Sequence, residues 1–291
     1  MSTAHRLRVT AEEPAPRPGY RPRSGVALDL GSARTRAWIG DPEVVLEGPT
    51  IAWPGAARPV RRGAIVDTPG TSRVLEQLLG DRLSGPCRPL VVVTVPALGG
   101  VAFRTEARTA VEVLRPRSVL TVPAARAVAC AAGADPARTL LVVDVGAQLT
   151  EVVLLADGAV VDARCTVLGT DDLDDAGTVT DLVDAVAGMV HAMLGQDRTS
   201  QTADALRRGP LLAGGGALRP GFADRLADRL DAPVRAVPAP HTAAVRGAAA
   251  LLAAAHAHPS AGGEVRPAAR PHQGPSGGPG GHEAAVPDRP G

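Results

Sequence analysis

Two aspartates carry the first chemical signal in this chain. Asp29 ends an apolar run and is followed by Leu30 and Gly31 in "VALDLGSARTRAWI". Asp144 does the same in "LVVDVGAQLTEVVL", followed by Val145 and Gly146, and each copy continues through a short polar gap to a threonine, Thr35 or Thr150. An Asp at the end of a strand presents a carboxylate there, and a Gly after it lets the turn expose backbone N–H groups. Such N–H groups cradle phosphate oxygens, and the carboxylate holds water on Mg²⁺. A single Asp-x-Gly is more often just a hairpin turn; two copies indicate duplication, and two such turns facing each other would grip a polyphosphate from both sides.

A third segment, "LLAGGGALRPGFADRL", sets Gly214, Gly215, Gly216 and Ala217 between a short strand and an amphipathic helix. Glycines there admit a close approach of the backbone to a flat ligand or a phosphate, and the following helix start favours an anion. Alone, the triplet reads equally well as a flexible connection.

These residues need elements to hold them. Short apolar runs predict strands at 26–30, 36–39, 44–47, 90–95, 118–122, 140–144, 150–155, 160–166, 210–213 and 234–237. Helical periodicity predicts helices at 71–83, 101–114, 124–132, 178–194, 220–230 and 241–255. Each half opens on strands joined by tight turns and only then alternates helix with strand, unlike a simple dinucleotide-binding unit. The expectation is an α/β protein of two half-domains, 25–138 and 139–256, with a cleft between them. Residues 1–24 and 257–291 are rich in Pro, Gly and charge and read as disordered extensions.

Composition excludes several classes. In 291 residues, 31 basic side chains nearly cancel 30 acidic ones, so there is no general pull toward nucleic acid or anionic lipid. Every basic residue is Arg, so no lysine serves as a point-charge phosphate ligand. Aromatics at 2% leave no stacking platform for single-stranded nucleic acid. Cys87, Cys130 and Cys165 are too scattered for a disulfide framework or zinc site. No secretory leader or membrane-length apolar run is evident, so a soluble cytoplasmic protein is expected. The acidic run Asp171, Asp172, Asp174, Asp175 lacks the spacing of a calcium loop, and His256 and His258 fall on different faces of a helix. No nucleophile elbow, zinc-protease pair or Walker lysine motif is present.

In order along the chain, these segments resemble the actin, heat-shock chaperone and sugar-kinase ATPase superfamily, and within it the bacterial actin homologue MreB. "LDLGSARTRAWI" is similar to the phosphate-1 loop, "VVDVGAQLTEVVL" to the phosphate-2 loop and "LLAGGGALRPGF" to the adenosine motif. "RRGAIVD", "LGTDDLDDA" and "PHTAAVRGAAALL" fall in the same order. The resemblance implies a duplicated RNase H-like fold with the nucleotide cleft between two core subdomains. It implies ATP and Mg²⁺ as cofactors, with Asp29 and Asp144 facing the metal through water. Gly31, Ser32, Ala33 and Arg34 would flank the phosphates from one side, Gly146, Ala147 and Gln148 from the other. Gly214 to Ala217 would approach the adenosine. By the same resemblance the role is cell shape and organisation of cell-wall synthesis, with self-association or cell-wall synthesis proteins as partners and peripheral membrane contact left open.

The chain also departs from that pattern. Ala147 and Gln148 replace glycines, and Arg34 replaces a small polar residue. Thr121 and Val122 precede Pro123 where the family has the glutamate that orients the hydrolytic water, so at most a weak ATPase is expected. The outer subdomains, IB and IIB, have little sequence left for them. The alternative to an ATP-binding cytoskeletal protein is therefore a non-hydrolysing pseudo-ATPase that works as an interaction scaffold. A sugar-kinase-like transferase has no evident substrate-binding insertion.

Overall fold

The computed structural model describes residues 25–40, 44–83, 88–173 and 178–257. Of the extensions expected to be disordered, 1–24 and 258–291, like the roles weighed for Cys87, Asp174, Asp175 and His258, lie outside the described residues, whereas Ala257, expected in the second extension, ends a helix. The first half comprises β1 (Gly25–Leu30), β2 (Arg34–Ile39), β3 (Val45–Pro49), β4 (Val60–Arg61), β5 (Ala64–Ile65), α1 (Thr68–Leu79), β6 (Leu90–Val95), α2 (Gly100–Val111) and β7 (Ser118–Pro123). After α3 (Ala124–Ala131) come β8 (Leu140–Val145), β9 (Thr150–Ala156), β10 (Ala159–Thr166), α4 (Thr178–Gln196), α5 (Gln201–Arg208), β11 (Leu211–Ala213), α6 (Phe222–Leu230), β12 (Arg235–Ala236) and α7 (Ala243–Ala257).

The duplication is visible in the strand order. One sheet runs β3-β2-β1-β6-β7 and the other β10-β9-β8-β11-β12, each a three-stranded antiparallel meander extended by parallel strands. The central strands are nearly continuous runs of Val, Leu and Ala because both faces are covered. On the outer face of the first sheet, Leu28, Val91 and Val93 pack with Leu75 and Leu79 of α1 and Phe103 and Ala107 of α2. On the outer face of the second, Leu141, Val143 and Val152 meet α4, α5 and α6 through Val186, Ala205 and Phe222.

Between the sheets lie α3 and α7. Ala127, Val245, Ala248 and Leu252 face the first sheet; Ala125, Val128, Ala243 and Ala244 face the second. The small side chains let the two helices cross closely. A Cβ added at Gly247 would lie 1.7 Å from the Ala127 carbonyl oxygen, so only glycine fits there. Helix α7 thus returns to the sheet that holds β1, and the two sheets with their helices share one interior.

Connections that would carry outer lobes are short. Between β3 and α1 stands one two-stranded hairpin, β4–β5, and between β10 and α4 one 3₁₀ turn, Thr170–Asp172, among the described residues. No helix among the described residues is long and apolar enough to cross a membrane.

Candidate functional site

Both Asp-x-Gly segments form hairpin turns of the same build. In the first, Asp29 pairs with Arg36 and Leu30 with Thr35 across the β1–β2 ladder. In the second, Asp144 pairs with Glu151 and Val145 with Thr150 across β8–β9. A Cβ on Gly31 would come 2.7 Å from the Arg34 carbonyl oxygen, and one on Gly146 2.8 Å from that of Leu149. Both turns therefore require glycine for the same reason.

A neighbouring segment braces each turn. The Thr50 N–H donates to the Ala33 carbonyl at 3.0 Å, while Thr50 Oγ1 donates to the Gly31 carbonyl at 2.6 Å and meets Thr35 Oγ1 at 3.0 Å. In the second copy the Thr170 N–H donates to the Gly146 carbonyl at 3.0 Å, the Asp171 N–H to that of Ala147 at 2.8 Å, and Thr150 Oγ1 to that of Leu168 at 2.9 Å. Thr35 and Thr150 are fully buried, so the repeated threonines hold the turns rather than face solvent.

The two turns converge on one cleft of about 240 Å³. Asp29, Gly31, Ser32, Ala33 and Arg34 line it from the first half, and Asp144, Gly146, Ala147, Gly214 and Gly215 from the second. Gly214, at φ +85°, packs so tightly that a Cβ would sit 2.5 Å from Asp144 Oδ1, whereas a Cβ on Gly215 would meet open space. Three expected residues stand back from the wall. Gly216 is packed against Val145, Ala217 against the second core, and Gln148 directs Nε2 to Asp171 Oδ2 at 3.3 Å.

Charge differs between the copies. Asp29 accepts from Thr94 Oγ1 at 2.9 Å and lies 3.6 Å from Arg36, which itself pairs with Glu47 at 2.7 Å. Arg34, half exposed, reaches the same Glu47 at 3.2 Å. Opposite Asp144, where the first copy has Arg36, the second has Glu151, which is only 5% exposed. Its Oε1 accepts from the Ala97 N–H at 2.9 Å, joining β9 to the loop after β6 in the other half. Burial pushes the Asp144 carboxyl up to about 7, helped by the Asp29 charge and opposed by Arg36. Burial also pushes Glu151 up to about 7, helped by Asp144 and opposed by the N–H groups of Leu98 and Ala97. A cation bound between Asp29 and Asp144 would offset the burial and like charge that raise Asp144 and would favour its ionised form. No group of three or more His, Cys, Asp or Glu among the described residues is placed to ligate a metal directly. Asp29 and Asp144 fit an ion held through its water shell.

Sequence reasoning missed Glu151, Arg36, Thr94 and His241 as cleft residues. Glu151 and Arg36 carried a signal, since each stands at the same offset from its aspartate. Thr94 and His241 reach the cleft only through the parallel β1–β6 pairing and the return of the chain before α7. Thr121 and Val122 lie in β7 and do not line the cleft.

Two sheets of matching topology, each lending an Asp-x-Gly turn to a shared cleft, make up an actin-like, duplicated RNase H-like fold. Residues 55–179 match the model of the MreB/Mbl protein family. That match spans less than half of the chain, which is similar to this family over its middle portion.

Solved structures agree on the fold. MreB5 of Spiroplasma citri bound to AMPPNP is similar at a TM-score of 0.70 and 14% identity, covering 80% of this chain and 96% of that one. The MamK double helical filament gives 0.64 and 15%, covering 81% and 100%. The ethanolamine utilization protein EutJ from Carboxydothermus hydrogenoformans gives 0.59 and 19%, covering 81% and 91%. No curated protein matches by sequence.

Proposed function

We propose that the cleft is a site for ATP with Mg²⁺, and that the protein is an MreB-like nucleotide-binding component of the machinery that sets cell shape and organises cell-wall synthesis. The observation that carries this reading is the pair of like-built turns, with Asp29 and Asp144 brought together across one cleft. Asp29 and Asp144 would hold the ion through water. Backbone N–H groups of Gly31 to Arg34 and of Gly146 and Ala147 would meet the phosphates, and Gly214 and Gly215 would approach the adenosine. The bound AMPPNP in the similar Spiroplasma citri structure supports the ligand class, and the MamK filament supports self-association.

Bound Mg²⁺ would supply charge neutralisation for a polyphosphate. The chain's own residues orient and bind; they are poorly equipped to hydrolyse. Thr121 and Val122 bring no carboxylate to the cleft, and Glu151 is engaged with the Ala97 N–H. That favours, as a second reading, a cleft that binds nucleotide without turnover and signals through its opening to a partner. Displacement of a fluorescent ATP analogue, run with phosphate release and sedimentation, separates the readings. Binding with assembly supports the cytoskeletal role, and binding by a monomer without release supports the scaffold. Failure of Asp29→Ala and Asp144→Ala to weaken the analogue would refute the site.

A further inference from the structure

The hairpin β4–β5 carries the "RRGAIVD" segment, just after the place where the resemblance leads one to expect an outer lobe, and it reaches from the first half to the second. Its base is rooted in the first core, where Val60 is 2% and Ile65 9% exposed. The Val66 and Asp67 N–H groups close it by donating to the Pro59 carbonyl. Its tip turns through Arg62 and Gly63, at φ +50° and +76°, a tight two-residue connection. That tip rests on the second half. A Cβ on Gly63 would lie 2.9 Å from Leu149 Cδ2, in the turn after Asp144, and both Val60 and Gly63 line the cleft.

Just before the hairpin, Arg58 pairs with Asp171 of the 3₁₀ turn that braces this same turn from below. Gln148, from the turn itself, donates to the same carboxylate oxygen. Arg58, Gly63, Gln148, Leu149 and Asp171 thus bring both halves to one edge of the cleft. The contact joins residues 113 apart in sequence.

We propose that Arg58 is a positioning residue whose pairing with Asp171 straps the β4–β5 hairpin across the cleft and governs how fast nucleotide enters and leaves. The gating half of the proposal rests on the nucleotide reading above; the strap does not. With both partners about one-third exposed, the pair is worth a modest amount, suited to a contact that opens and closes.

Hydrogen exchange on the ligand-free protein tests the strap directly. In Arg58→Ala, amides of 146–150 and 170–172 exchange about two- to tenfold faster, with the melting temperature lowered by no more than about 5 °C. Asp171→Ala matches it, and the double variant adds nothing further, as a shared contact requires. Stopped-flow mixing with a fluorescent ATP analogue then shows association and dissociation both accelerated by about two- to tenfold, with their ratio little changed. Unchanged exchange in Arg58→Ala, or additive effects in the double variant, overturns the strap. Nucleotide rates unmoved by either variant overturn the gate. A wild type that binds no nucleotide overturns the ATP reading, while the exchange result still decides the strap.

Discussion

Replacing Glu151 by Gln should stabilise the ligand-free protein at pH 8, although it alters a buried residue of the core sheet. The folded protein raises this carboxyl from 4.5 to about 7, so at pH 8 it is ionised against its surroundings, beside Asp144 and short of water. At about 1.4 kcal/mol for each tenfold change in proton affinity, that strain has a ceiling of about 3 kcal/mol. Gln keeps an oxygen to accept the Ala97 N–H, but its burial still costs something, so the net gain is about 1–2 kcal/mol. For a domain of this size the melting temperature rises by roughly 2–8 °C. The sign follows from proton uptake. Between about pH 4.5 and 7 the native state binds a proton that the unfolded state releases, so stability falls as pH rises through that window. In Glu151→Gln the fall is shallower, with Asp144 supplying what remains. Thermal melts at pH 5.5 and pH 8 read both effects. A variant less stable than wild type at pH 8, with an unchanged pH slope, would refute the argument that like charge and burial dominate at this residue.

Other consequences are as specific. Mg²⁺ without nucleotide should raise the melting temperature more at pH 8 than at pH 5.5, because the ion competes with protons for Asp144. Gly247→Ala should cost about 1–3 kcal/mol by pushing α7 off α3, although Ala is favoured over Gly in a helix by about 1 kcal/mol; urea denaturation checks it. Gly215→Ala should leave the urea midpoint unchanged, since its Cβ meets open space, yet weaken Mg-ATP by roughly tenfold if adenosine lies there.

Much of this architecture was legible in sequence because its signals are local. Asp29 and Asp144 sit at the ends of apolar runs whose length and β-branched content identify strands, and every strand expected from such a run is present. Elements without enough residues to show a period were not legible. Strands β4 and β5 have two residues each, and α5, eight residues long, fully buries only Thr202 and Ala205, with Leu206 packed beside them. Helix α1 starts at Thr68, before the expected 71, because Asp67 caps it by accepting from the Gly70 N–H and Pro69 suits the first turn. The cleft was readable as a pair of turns but not as a charge distribution. That Glu151 faces Asp144 depends on strand register, and that Arg58 meets Asp171 depends on how the two halves close. Gly216 illustrates the limit of a motif: within one glycine run, Gly215 faces the cleft and Gly216 only admits Val145.

The central claim is that the two turns form a working nucleotide site, and isothermal titration with Mg-ATP tests it most directly. The account predicts saturable binding by the wild type, competition by ADP, and loss of binding in Asp144→Ala. No heat and no competition in a folded wild type, or undiminished binding in Asp144→Ala, would contradict it.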